Sequence, residues 1–209
     1  MSDKRNPMKE RPILFSGPMV LALLSGGKTQ TRRVVDWAKI AKQTGCSKGR
    51  LAWSDAFDSW AVFNGDGEAH VALVECPHGR VGDHLWVREK WCPALPGTWD
   101  APKIVSPGGT AAAYFAADWD RSPPSRWRPS IHMPRWASRI TLEITSIRVE
   151  RLQEISHKDA LAEGVGYDVG KEGGWPLSRF KALWDSINGV GSWEQNPYVW
   201  VIAFKRIKP

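Results

Sequence analysis

The apolar positions of this chain change period several times, and each change marks an element. Met19, Val20, Leu23 and Leu24 recur at helical spacing behind Ser16 as N-cap and Pro18 in the first turn, and Gly26-Gly27 ends the run. From Thr29 the period drops to two. Thr29, Thr31, Arg33 and Val35 alternate with Gln30, Arg32 and Val34, the pattern of a strand. Residues 12–15 predict a short strand ahead of the helix, and residues 1–10 a disordered basic leader. Two short alternating runs lie between Leu51 and Phe63, and Asn64-Gly65-Asp66-Gly67 signals a hairpin turn into a strand over 70–76. After Gly82-Asp83, residues 84–89 set Leu85 and Val87 on one face and Trp86 and Arg88 on the other.

Residues 92–136 break the pattern. They carry prolines at 93, 96, 102, 107, 123, 124, 129 and 134, and only 111–117 reads as a strand, which predicts an insertion restrained by proline with little regular hydrogen bonding. Residues 138–152 read as one long strand, with Ile140, Leu142 and Ile144 in one phase and Ile147 and Val149 in the other; the switch at Thr145-Ser146 predicts a bulge or bend. Ser156 to Asp159 caps a helix running through residues 160–163, and Phe180, Leu183, Trp184 and Ile187 form one face of another that Asn188-Gly189 ends. Residues 198–207 are apolar on both faces, which predicts a central or well-covered strand. Short strands with helices at two points and no repeats predict an α+β fold on a small mixed β-barrel, one domain over 11–208 interrupted by the insertion. No glycine-rich phosphate loop is present.

Composition narrows the partners. With 209 residues and 42% hydrophobic content the chain can bury a real core. Its net charge of +7 points to an anionic partner, a nucleotide or nucleic acid, although 22 acidic against 29 basic residues make this a patch and not a polycation. The polar start is unlike a signal peptide and no run of about 18 apolar residues occurs, so a cytoplasmic protein without a membrane partner is expected. Cys46, Cys76 and Cys92 form no CxxC pair and read as reduced thiols. Cys76-Pro77-His78, with His70 and His84, offers ligand atoms at no common zinc spacing, so neither metal nor cofactor is expected. Thirteen tryptophans are enough to serve both core and surface, and some are candidates to stack on bases.

Candidate chemistry concentrates at the first helix exit, Gly26-Gly27-Lys28-Thr29-Gln30-Thr31-Arg32-Arg33. An ideal strand sends Lys28 and Thr31 to opposite sides; a chain still turning there brings residues three apart to within roughly 7 Å at Cα, and the ammonium can reach the hydroxyl. A threonine nucleophile needs a base, and a lysine serves only where burial or neighbouring cations such as Arg32 or Arg33 lower its pKa. The alternatives are plain: Lys28 complementing the helix C-terminus, Thr31 as a strand former, Arg33 in a structural ion pair. Arg32 and Arg33 are candidate substrate contacts, Trp86 or Trp136 can stack on a base, and Arg88 or Arg135 can neutralise a phosphate. His132, held between prolines, is either structural or an acid–base group.

Gly26-x-Lys28-x-x-Thr31-x-Arg33, Gly82-Asp83-x-Leu85-Trp86-Val87 and Trp200-Val201-Ile202-x-Phe204 together resemble the ASCH domain family, whose long members look like phage or prophage proteins. The resemblance implies a PUA-like β-barrel similar to RNA-binding domains, with residues 92–136 outside the compact core. The compact members it is most similar to are amidohydrolases that remove the acetyl group from N4-acetylcytidine with a lysine, a threonine and a glutamate. Lys28 and Thr31 fall on the motif positions, and Glu163, in the helix ahead of the last strand, is the corresponding glutamate. Gly27 stands where an arginine is usual. Glu163 would then orient Lys28 or pass a proton to the leaving amine. Two other classes fit the same residues: a non-catalytic RNA- or DNA-binding module, with RNA favoured, and a metal-independent ribonuclease, since some ASCH proteins are nucleases.

Overall fold

The computed structural model describes residues 7–46, 49–57, 59–63, 70–95, 97, 103–121, 126–166 and 174–207. In chain order its elements are β1 (Glu10–Leu14), α1 (Gly17–Leu24), β2 (Gln30–Val34), α2 (Trp37–Thr44), β3 (Arg50–Ser54), β4 (Ser59–Phe63), β5 (His70–Val74) and β6 (His84–Arg88). There follow β7 (Trp91–Ala94), β8 (Ile104–Val105), β9 (Ala112–Phe115), β10 (Thr141–Arg151), α3 (His157–Ala162), α4 (Pro176–Asn188) and β11 (Tyr198–Ile207). Single 3-10 turns occupy Ser130–His132, Arg135–Ala137 and Leu152–Glu154. The fold is α+β.

The main sheet runs β1-β6-β10-β11-β2, parallel between β1 and β6 and antiparallel elsewhere. β11 is apolar on both faces because each face meets a different core. Trp200, Ile202 and Phe204 pack with Val20 of α1, Ile13, Leu85 and Ile144. Val199 and Val201 point the other way, to Leu152, Phe180 and Trp184. This period-two division sets α1 on one side of the sheet and α3 with α4 on the other. The β10–β11 register shifts between Ile144 and Ser146, where the apolar phase of the sequence changes.

β1 and β2 remain edges, so hydrogen bonding among the described strands leaves the sheet open instead of closing the expected barrel. A second sheet, β3-β4-β5, lies over the same core and contributes Leu51, Val62 and Val74 to it. The hairpin signal at residues 64–67 lies outside the described residues, as do residues 1–6; β1 begins at Glu10, inside the expected leader.

The insertion is more regular than its prolines imply. β7, β9 and β8 form a third sheet around Trp91, Ala113, Phe115, Met133 and Ala137. Pro93 is tolerated because β7 is an edge strand. Arg139 joins this unit to the main sheet, bonding Glu89 at 2.8 and 2.9 Å and Asp118 at 2.6 Å while lying over the Phe115 ring. Burial holds the Glu89 carboxyl above its ordinary range, against the pull of Arg139. Helix α2, also absent from the sequence reading, is capped by Asp36, which accepts from the Lys39 amide, and ends at Gly45 with φ 78°. No described helix is long and apolar enough to cross a membrane.

Candidate functional site

The exit of α1 is stitched to the exit of α3. Gly26, at φ 80°, turns the chain out of the helix, and the Lys28 amide returns to the Ala22 carbonyl at 3.0 Å. Lys28 then bridges Glu163 in an antiparallel pair, with the Thr29 amide donating to Ala162 O at 2.8 Å. Ser156 caps α3 by accepting from the Asp159 amide, which fixes the helix that delivers Glu163 at its C-terminal end. Gly164 makes the approach possible: its φ is +89°, and a Cβ there would lie 2.8 Å from Ala22 Cβ and 3.1 Å from Lys28 Cβ.

The side chains complete a buried charge cluster. Lys28 Nζ donates to Glu163 Oε2 and to the Glu163 carbonyl, each at 2.9 Å. Arg32 Nη1 donates to Glu163 Oε1 at 3.1 Å, so each carboxylate oxygen carries its own cation. The Lys28 and Arg32 side chains are fully buried, and that of Glu163 is 3% exposed. Arg32 reaches Glu150 at 2.5 Å and Asp159 at 3.5 Å, and Arg148 closes the circuit to Glu150 at 2.9 Å and Asp159 at 3.2 Å. Gln30 donates to the Asp159 carbonyl. Burial pushes the Lys28 ammonium below the usual lysine range; Glu163 opposes that shift, while Arg33 and Arg32 add to it.

Thr31 is 1% exposed and lines a narrow slot of about 60 Å³ with Glu163, Arg33, Phe180, Trp184 and Asn188. Its hydroxyl makes no hydrogen bond among the described residues. Of the two arrangements open to the sequence, the Lys28–Thr31 contact of a chain still turning is not formed among the described residues. The bridge at Lys28 has already extended the chain, which removes the turn that would bring the two together, and the ammonium engages Glu163 instead. The indole Nε1 of Trp184, on the slot wall, is buried with no hydrogen-bond partner among the described residues.

Arg33 sits where this slot meets a wider cleft of about 940 Å³ that also contains Arg11, Lys39 and His78. Its guanidinium donates to Leu14 O at 2.8 Å, lies 5.4 Å from the Phe15 ring centre, and pairs with no carboxylate among the described residues. Burial, with Arg33, Lys39 and Arg11 nearby, pushes the His78 imidazole down to about 4.

The remaining candidates gather elsewhere. Trp86 is nearly buried between Arg88 at 4.7 Å and Arg135 at 5.9 Å; Arg88 donates to Met133 O, Arg135 pairs with Glu10 at 2.8 Å, and Trp136 packs edge-on to Trp91. This group stands on β6 and the insertion, three strand spacings or roughly 14 Å across the sheet from β2. It does not join Lys28 and Glu163. His132 lies exposed in a 3-10 turn. The cysteines form no disulfide among the described residues, and burial raises the Cys76 thiol to about 11. Among the described residues no group of three or more His, Cys, Asp or Glu is placed to hold a metal ion.

Sequence reasoning cast Arg32 as a substrate contact, whereas its burial makes it a clamp on Glu163. It also passed over Glu150 and Arg148. Their signal was available: Arg148-x-Glu150 puts opposite charges on one face of the strand while the neighbouring Ile147 and Val149 occupy the other. Compared with protein-family models, curated proteins and solved structures, the chain finds no match in any of the three.

Proposed function

We propose that this protein is an amidohydrolase of N-acylated, cytidine-type nucleosides, working through Lys28, Thr31 and Glu163 on a PUA-like scaffold. One observation carries the reading: a lysine and a glutamate 135 residues apart meet at 2.9 Å in a buried bridge, beside a slot that Thr31 also lines. Two buried cations on one carboxylate demand a specific environment, and a lysine depressed by burial is suited to proton transfer.

In this reading the Thr31 hydroxyl attacks the acyl carbonyl carbon and gives its proton to the Lys28–Glu163 pair. The same pair returns the proton to the departing cytosine amine as the C–N bond breaks, and water then releases the acyl group from Thr31. Positioned proton transfer of this kind contributes about 10²–10⁴-fold. The slot, about 60 Å³, is far smaller than the adjoining cleft of about 940 Å³, so in this reading it takes the acyl group. The base and sugar therefore occupy the wider cleft.

Incubation with N4-acetylcytidine, with cytidine followed by chromatography, should show turnover that Lys28→Ala and Glu163→Gln abolish. No turnover, or full activity in Lys28→Ala, contradicts the proposal. Non-catalytic nucleic-acid binding is the second reading, favoured by Arg33, which lines the wide cleft and has no carboxylate partner among the described residues.

A further inference from the structure

The wide cleft does not end at His78. Its wall at Val74, Glu75 and Cys76 is shared with a groove of about 640 Å³, which Trp53, Trp60, Arg80 and Arg148 line as well. Trp53 and Trp60 are direct partners across β3 and β4, edge to face at 5.5 Å, and Trp60 meets Trp200 edge to face at 5.2 Å. Trp200 in turn lines the wide cleft, so a ladder of three indoles links the two depressions. Its outer rung is uncovered: Trp53 is 45% exposed and neighbouring Val81 64%. A half-exposed indole in a groove that also holds two guanidinium groups offers a face on which a flat ring can stack.

Charge identifies the occupant. Arg11, Arg33 and Lys39 line the cleft and Arg80 and Arg148 the groove, against the carboxylates of Asp36 and Glu75. Most of these cations are paired with carboxylates, Arg11 with Asp83, Lys39 with Asp36, Arg80 with Glu75 and Arg148 with Glu150; Arg33 forms no such ion pair among the described residues. A ligand that alternates phosphates with flat apolar rings matches that sequence of arginines and indoles.

We infer that the slot, the cleft and the Trp53–Trp60 groove form one track for single-stranded nucleic acid, with a flanking base stacked on Trp53 while the acylated residue reaches Thr31 and Glu163. This rests on the hydrolase reading for its inner end only. The preferred substrate is then a modified residue within a strand, not the free nucleoside.

Fluorescence anisotropy with labelled mononucleotide and octanucleotides, RNA and DNA of the same sequence, tests it. The octanucleotide should bind at least about tenfold more tightly than the mononucleotide, with log affinity falling by roughly 0.7 per phosphate contact per decade of salt. Trp53→Ala should weaken octanucleotide binding about 10-fold or more, leave the mononucleotide unaffected, and be rescued by Trp53→Phe. The RNA and DNA arms decide which strand the track prefers. Affinity independent of length, or an unaltered Trp53→Ala variant with a native circular-dichroism spectrum, overturns the inference. The two proposals fail separately: length-dependent binding without turnover of N4-acetylcytidine removes the hydrolase and leaves the track, and turnover without length dependence does the reverse.

Discussion

Replacing Glu163 with glutamine tests the buried cluster without reference to catalysis. Each carboxylate oxygen receives a cation, Lys28 at 2.9 Å and Arg32 at 3.1 Å. An amide offers one acceptor and one donor group, so glutamine must turn an NH2 towards one of those cations. At 2.9 Å and an effective dielectric of 20, the Coulomb attraction of the Lys28–Glu163 pair is about 6 kcal/mol, most of which offsets the desolvation of two buried ions. Removing one member leaves that desolvation uncompensated and costs about 3–5 kcal/mol. In urea, with a slope of about 2–3 kcal/mol per molar for a chain of this size, the midpoint should fall by about 1–2.5 M. The double variant Lys28→Met/Glu163→Gln removes both charges and should be more stable than Glu163→Gln alone. A loss below about 1 kcal/mol in Glu163→Gln, or strict additivity in the double variant, would refute the reasoning.

Three further outcomes follow from local geometry. Gly164→Ala forces a Cβ to within 2.8 Å of Ala22 Cβ at a φ of +89°, and should cost about 1–3 kcal/mol; an unchanged melting temperature would show that the α1–α3 stitch is loose. His78 takes up its proton near pH 4 when folded and near 6.5 when unfolded, so stability is full above pH 6.5 and falls by up to about 3 kcal/mol as pH drops towards 4. His78→Phe should remove that component of the acid dependence in a urea series run across the same pH range. Asp83 is held below the usual carboxylate range because the Lys9 and Arg80 amides and the Arg11 guanidinium outweigh its burial. Asp83→Asn should cost about 1–3 kcal/mol at neutral pH, and the deficit should shrink as pH falls below 3.8, where the wild-type contribution is itself lost.

Much of the scaffold was legible because its signals are local. The phase change at Thr145-Ser146 gives the bulge in β10, the double-faced apolarity of residues 198–207 gives the central strand, and Ser156 gives the start of α3. Helix α2 escaped because it is short: its apolar stripe, Trp37 with Ile40, spans a single turn. β7 escaped because Pro93 reads against a strand until its edge position is known. The site was only half legible. Lys28 and Thr31 form a local motif, but Glu163 lies 135 residues from Lys28, and only the family resemblance singled it out. Arg32 and Arg33 looked alike in sequence; the pleat sends one into the Glu163 cluster and the other to the cleft junction. The Trp53–Trp60 pair depends on cross-strand register, which composition cannot supply.

The most direct measurement is the rate of N4-acetylcytidine hydrolysis by the wild type, Thr31→Ser and Thr31→Val, each checked for native stability. The account predicts turnover by the wild type and by Thr31→Ser, which keeps a hydroxyl at the slot, and a rate at least about 100-fold lower in the isosteric Thr31→Val. Wild-type turnover in Thr31→Val, or no hydrolysis by any of the three, would contradict it.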